Sequence, residues 1–145
     1  MYEINRSVFL LMPLEPFWRW LQSLPDVDLS DIELEDLQAD ANAYLVNPCD
    51  SADEVWEEIE ARFEDIFAAE LADWCEDERQ WPDLHPDIFN EWFDIQLSTI
   101  ITDLSADLIR ETARVMADTL PQSLIVPGRH VTWYGNDSQR MRAVY

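Results

Sequence analysis

Residues 51–78 read SADEVWEEIEARFEDIFAAELADWCEDE, and this stretch predicts one long helix with two opposed faces. Apolar residues recur in it at three- and four-residue steps, which predicts a buried stripe. These residues are Val55, Trp56, Ile59, Phe63, Ile66, Phe67, Leu71 and Trp74. Ser51 and Glu54 have the spacing of a capping box, in which each side chain accepts a backbone N–H at the start of the helix.

The opposite face of this predicted helix is acidic. Its carboxylates include Glu54, Glu57, Glu58, Glu64 and Asp65. Twelve acidic residues lie between Asp53 and Glu78, on a helix expected to be about 40 Å long, or roughly one charge per 3.5 Å. One strand of B-DNA carries one phosphate about every 3.4 Å. The pattern therefore predicts a fixed charge array for a basic partner, and it raises the hypothesis that the helix imitates DNA.

The chain as a whole is strongly acidic. Its 145 residues contain 31 Asp and Glu, nine arginines and no lysine, for a net charge of −22. Such a surface repels phosphates, so we expect no direct nucleic-acid binding and no attraction to anionic membranes. The charge balance is 4 − 28 = −24 up to Ile109 and 5 − 3 = +2 from Arg110 onward. This asymmetry predicts that the C-terminal quarter docks partly by charge onto the acidic body.

The length and the apolar content predict one folded domain, residues 1–145. Apolar residues make up 48% of the chain and include seven tryptophans, which argues against disorder. No apolar run approaches the roughly 20 residues that span a membrane, and the run Val8–Met12 is too short for a signal peptide. We therefore expect a cytoplasmic protein whose two cysteines, Cys49 and Cys75, are reduced.

Strand and helix patterns are mixed along the rest of the chain. Strands are predicted at residues 7–12, 43–46 and 93–102, the last by strict alternation in FDIQLSTIIT. Shorter helices are predicted from Pro16 to Pro25, from a capping box at Ser30 and Glu33, from Pro86 to Trp92, and from Ser105 to Pro121. A hairpin is predicted from Leu124–Val126 and His130–Tyr134. This mixture predicts an α+β fold with a small, mostly antiparallel sheet covered by two or three amphipathic helices.

The residues that common catalytic sites need are missing or isolated. The two glycines, Gly128 and Gly135, provide no glycine-rich loop for phosphates, and the absence of lysine removes Schiff-base chemistry. There is neither a G-x-S-x-G motif nor a C-x-x-C pair. We therefore favour a protein without catalysis, cofactor or structural metal.

Two acidic loops are candidate metal or catalytic sites. Residues 26–30 begin like a calcium loop, but Asp31 stands where glycine is needed and Leu37 where a bidentate glutamate should close the site. In the second loop, Asp83 and Asp87 flank His85 and would be able to orient its imidazole for a metal ion or for general-base work. A surface histidine beside a helix start is the simpler interpretation of the second loop.

Glu70 is the one acidic residue that projects into the apolar stripe of the long helix. A buried carboxylate is costly unless it is paired. Glu70 is therefore expected to meet an arginine, to lie at the rim, or to be a perturbed group with a chemical role. The first explanation is favoured, with Arg110 or Arg114 as the partner.

The sequence thus favours a small acidic interaction module that presents Glu54, Glu57, Glu58, Glu64 and Asp65 to a basic or DNA-binding protein. The alternative is a metal-dependent enzyme or small-ligand-binding protein that uses Asp83, His85 and Asp87. A third explanation is that the acidity is an adaptation to a high-salt cytoplasm. The partner's identity and the oligomeric state do not follow from the sequence.

Overall fold

The computed structural model describes residues 1–111, together with the backbone of two strands at 132–135 and 141–144. The helices are α1 (Glu15–Ser23), α2 (Leu34–Ala39), α3 (Ala52–Ala72) and α4 (Pro86–Trp92). The strands are β1 (Tyr2–Ile4), β2 (Ser7–Pro13), β3 (Asn42–Val46), β4 (Phe93–Ser98), β5 (Ile101–Asp103), β6 (Thr132–Gly135) and β7 (Met141–Val144). The described strand pairs are antiparallel, and the predicted α+β class is confirmed. That residues 1–145 form a single domain stays a prediction.

A three-stranded sheet with the order β3-β2-β4 lies beneath the helices. Along β2, Ser7, Phe9, Leu11 and Pro13 are buried while the residues between them are half-buried, as the two-residue period of a strand requires. Phe9 pairs with Tyr44 of β3, and the two rings stack with centroids 5.1 Å apart. Both α2 and α3 contact β2. The strands predicted at residues 7–12 and 43–46 are confirmed.

The strand predicted at residues 93–102 is divided between two sheets. β4 pairs with the central strand β2, whereas β5 pairs with β1. The chain leaves the first sheet at Ser98, whose Oγ accepts the Ile100 N–H at 3.3 Å. Such local side-chain bonds compete with the bonds of a sheet ladder. Alternation in the sequence predicted the extended conformation correctly but carried no signal for this break.

An aromatic cluster fills the core between α1, α3, α4 and β4. Phe67 of α3 lies at its centre, with ring centroids 5.6 Å from Phe89, 5.7 Å from Trp92 and 5.7 Å from Phe93. Phe17 of α1 adds contacts to the rings of Trp92 and Phe93. Such tilted and edge-to-face pairs add to the burial of apolar area. The predicted helices at 16–25 and 86–92 are therefore confirmed as the covering layer of this core.

The long helix ends earlier than predicted. It begins after Ser51 as expected but stops at Ala72, and Cys75 N–H then closes the end by donating to Leu71 O at 2.9 Å. Three acidic residues follow at positions 76–78, and negative charge is unfavourable at the C-terminal end of a helix dipole. The segment after the helix is instead fixed by Trp81, whose Nε1 donates to Cys75 O at 2.7 Å.

Two other predicted helix starts need correction. The capping box of α2 is formed by Glu33 and Asp36 rather than by Ser30 and Glu33. Residues 105–111 are not helical, because Asp103 and Ser105 side chains accept the backbone N–H groups two residues ahead. The remainder of that predicted helix lies outside the described residues.

The C-terminal strands that the structure describes form one antiparallel pair. β6 overlaps the predicted strand at residues 130–134, but it pairs with β7, with Thr132 opposite Val144. The expected partner strand, Leu124–Val126, and His130 lie outside the described residues. The predicted strand is confirmed at β6, β7 was not predicted, and the pairing of β6 with Leu124–Val126 stays a prediction.

A pH prediction concerns Asp77, which caps the short 3₁₀ turn Glu78–Gln80. Hydrogen bonds from the Arg79 side chain and backbone lower the pKa of Asp77 to about 2. Because the pKa is depressed in the folded protein, the stabilisation is present above the unfolded pKa of about 3.9 and is lost as the pH falls toward about 2. We expect an NMR titration of the Asp77 carboxyl carbon to show a midpoint well below those of ordinary exposed aspartates.

The control for this titration is Arg79→Ala, which removes the guanidinium while leaving the backbone N–H in place. We expect the Asp77 midpoint to rise only part of the way to the ordinary value. An unchanged midpoint in Arg79→Ala would contradict the assigned cause.

Candidate interaction site

The first turn of α3 is held by two side chains. Ser51 Oγ accepts the Glu54 N–H at 3.3 Å, as the capping box predicts. Glu54 Oε2 accepts the Asp50 N–H at 2.7 Å, so the glutamate reaches one residue beyond the predicted Ser51. Glu54 is thus both a predicted partner-binding residue and a part of the cap that starts the helix.

The solvent-facing carboxylates of α3 form two rows along the helix. Steps of three, four and seven residues bring side chains onto one row. One row, which we call the groove-side row because it borders a groove between α3 and α4, consists of Asp53, Glu57, Glu60 and Glu64. The far row consists of Glu54, Glu58 and Asp65. Arg62 is the one basic residue of α3, and its Nη2 lies 3.8 Å from Oε2 of Glu58 in the far row. The structure therefore divides the five predicted residues between two rows, and it leaves no base on α3 beside the groove-side row.

The acidic array is shorter and denser than the sequence predicts. Of the twelve acidic residues between Asp53 and Glu78, Glu70 is buried and four follow the last residue of α3. The other seven lie between Asp53 and Asp65, which are about 18 Å apart along the helix axis, so the spacing is roughly 3 Å per charge. This spacing is close to the roughly 3.4 Å of one DNA strand, over a little more than half of the helix.

A groove between α3 and α4 borders the groove-side row. It has a volume of about 520 Å³ and is lined by Trp56, Ile59, Glu60, Phe63, Pro86, Phe89 and Asn90. Ile59 and Phe89 form its floor, being only 2% and 3% exposed. The ring centroids of Phe63 and Phe89 lie 6.1 Å apart. The groove is therefore an apolar trough with one carboxylate, Glu60, in its lining.

The exposure of Trp56 was not predicted from the sequence. Its position in the apolar stripe predicts a core residue, but its side chain remains 38% exposed at the groove. In projection at 100° per residue, Trp56 lies between Phe63 and Glu60, at the edge of the stripe. That edge position beside a row of carboxylates was the signal that would have indicated a surface role.

Glu70 is fully buried, as its position in the stripe predicts. Its Oε1 accepts hydrogen bonds from Asn42 Nδ2 and from Tyr44 Oη, both at 2.6 Å. Asn42 Nδ2 also lies 3.4 Å from Asp73 Oδ2. Each of these four residues takes part in at least one further interaction. The bonds to β3 fix the helix onto the central sheet, which is a structural role for the carboxylate.

The predicted arginine partners of Glu70 have different outcomes. Arg110 is exposed in an irregular segment rather than on the predicted helix. Arg114 lies outside the described residues, so its pairing with Glu70 stays a prediction.

The loop Asp83–Asp87 is built as a helix cap. His85 is the N-cap of α4, and its Nδ1 accepts the Asp87 N–H at 3.2 Å. The Asp87 carboxylate lies 3.6 Å from the same nitrogen. The side chains of Asp83, His85 and Asp87 are exposed. The imidazole nitrogen nearest to Asp87 is therefore engaged in starting the helix.

The candidate calcium loop is a local turn. Asp28 Oδ1 accepts the Ser30 N–H at 3.0 Å, and this bond lowers the pKa of Asp28. Within residues 1–111, no three His, Cys, Asp or Glu side chains come together in a group that could hold a metal ion.

No protein-family model, curated protein or solved structure matches the chain. No helix in the described part of the chain is long and apolar enough to cross a membrane.

Proposed function

We propose that this protein is a non-catalytic interaction module that presents the acidic face of α3 to a basic or DNA-binding protein. The observation that carries the proposal is the pair of carboxylate rows on α3, which has a single arginine. Burial of Val55, Ile59 and Phe67 on the opposite side holds the helix rigidly. The backbone of a helix held in this way loses little conformational freedom on binding, and its charges steer a cationic partner during encounter.

Imitation of DNA is the finer form of this proposal. Its support is the spacing of roughly 3 Å per carboxylate from Asp53 to Asp65, against about 3.4 Å per phosphate on one DNA strand. We place the protein in the cytoplasm in this proposal, where the unpaired Cys49 and Cys75 would remain reduced. A DNA-binding partner would then be released from the module by added duplex DNA.

The test is a charge-reversed variant with Glu57→Lys, Glu64→Lys and Asp65→Lys. Glu54 is left unchanged because it caps α3, and Glu58 because it lies beside Arg62. We expect a basic protein from host lysate to be retained by the wild type, and its affinity for the purified variant to fall by about tenfold or more, since several charge contacts are lost. The measurement is a pull-down followed by titration calorimetry with the purified partner at low and moderate salt.

The matched control reverses three exposed aspartates away from α3, Asp26, Asp31 and Asp94, so that the net charge of the two variants is equal. The control should keep most of the affinity. Equal loss in the two variants, or retention of no basic protein by the wild type, would contradict the proposal.

The other two explanations keep their own tests. A metal-dependent site at Asp83–Asp87 requires stoichiometric metal in the purified protein that is lost in His85→Ala. Salt adaptation requires an unusually large gain in stability in molar salt, beyond the screening of self-repulsion that any protein of this charge shows.

A further inference from the structure

The groove between α3 and α4 has the size and lining of a binding site. Its volume of about 520 Å³ falls within the roughly 300–1,000 Å³ of pockets that hold ligands. Trp56 and Phe63 stand on one side and Pro86 on the other, above the buried Phe89. A large aromatic side chain held open to solvent beside such a trough is typical of the anchor positions of protein interfaces.

The charges around the groove select the occupant. Glu60 lies in the lining itself, and Glu57 and Glu64 are its neighbours in the groove-side row. On α4, the exposed Asp87 stands one turn from Asn90. Among the described residues, no basic side chain lines the groove. An anionic occupant would be repelled by these carboxylates. A neutral occupant would leave Glu60 without a countercharge. A guanidinium, in contrast, could pair with Glu60 and lie against the Trp56 ring.

We propose that the groove is the specificity pocket of the interaction face, and that it takes a basic segment of the partner that carries an aromatic or aliphatic anchor. The anchor side chain enters the trough over Ile59 and Phe89, while flanking arginines or lysines pair with Glu57, Glu60 and Glu64. This inference rests on the proposed function, and it adds that the partner is recognised by an apolar anchor as well as by charge.

The experiment is selection of random peptides displayed on phage with the full-length protein as bait. Enriched peptides are synthesised and titrated against the wild type and three variants by calorimetry. Trp56→Ala removes one wall without changing the charge. Asn90→Arg places a positive charge at the mouth of the groove. Asp26→Asn is the control at an exposed residue outside α3 and the groove, and circular dichroism checks that each variant is folded.

We expect the enriched peptides to combine basic residues with an aromatic or aliphatic residue. Their affinity should fall by about tenfold or more in Trp56→Ala and in Asn90→Arg, as for loss of a central interface residue, and by much less in Asp26→Asn. Basic peptides that bind Trp56→Ala and Asn90→Arg as tightly as they bind Asp26→Asn would overturn the proposed groove site without contradicting the proposed role of the acidic face. Failure to enrich any basic peptide would overturn both proposals.

Discussion

Replacing Phe67 with alanine is expected to lower the free energy of unfolding by about 3–5 kcal/mol, the usual cost of deleting a fully buried phenylalanine ring. The Phe67 side chain is inaccessible to solvent and contacts Phe89, Trp92 and Phe93. These three residues belong to α4 and β4, so the cavity would open between α3 and the elements beneath it. The measurement is urea unfolding, monitored by tryptophan fluorescence and by far-UV circular dichroism.

The comparison for this variant is Trp56→Ala on the same helix. Trp56 is larger than Phe67 but 38% exposed, so its removal should cost considerably less. Phe67→Leu keeps part of the packing and should lie between the wild type and Phe67→Ala. If Phe67→Ala cost less than Trp56→Ala, the aromatic cluster would not be the centre of the core.

Replacing Glu70 with alanine is expected to destabilise the protein by about 2–4 kcal/mol, because the bonds to one buried and one half-buried donor are lost and a cavity remains. The donors are Asn42 Nδ2 and Tyr44 Oη, which bond to Glu70 Oε1. Glu70→Gln keeps an oxygen that can accept both bonds and loses their charge-assisted part. It should therefore cost about 1–2 kcal/mol.

A double-mutant cycle tests whether Glu70 and Tyr44 stabilise the fold through their shared bond. The variants are Glu70→Gln, Tyr44→Phe and the combination, measured by urea unfolding. Since the two groups are in direct contact, we expect a coupling energy of about 0.5–3 kcal/mol. Additive effects would show that the bond contributes little. Glu70→Ala as stable as the wild type would contradict the structural role of the carboxylate.

Hydrophobic periodicity and capping residues predicted most of the described helices and strands, because both depend on residues close together in the chain. The alternation around Phe9 predicted a strand with one buried face, and the Ser51 cap fixed the start of α3. The helical phase of Glu70 placed it in the apolar stripe but left a rim position open, and the structure shows it buried. The end of α3 did not follow, because the competing Trp81 bond joins residues beyond the helix.

The candidate site was predicted only in part. Glu57, Glu64 and Asp65 are exposed on α3 as expected, but their division into two rows gained significance only when α4 was placed beside one of them. The role of Trp56 depends on Pro86 and Phe89 across the groove, residues that helical periodicity within α3 cannot report.

Composition and local periodicity were enough to predict the acidic character of the protein, the α+β class, the buried stripe of α3 and the positions of α1, α4 and the central strands. These properties arise from composition and from periods of two and 3.6 residues, which act within a short stretch of chain. The partners of Glu70, the exposure of Trp56 and the groove beside the carboxylates became evident only in the folded structure. Each of these depends on contacts between residues far apart in the chain, such as Asn42 with Glu70 and Phe63 with Phe89.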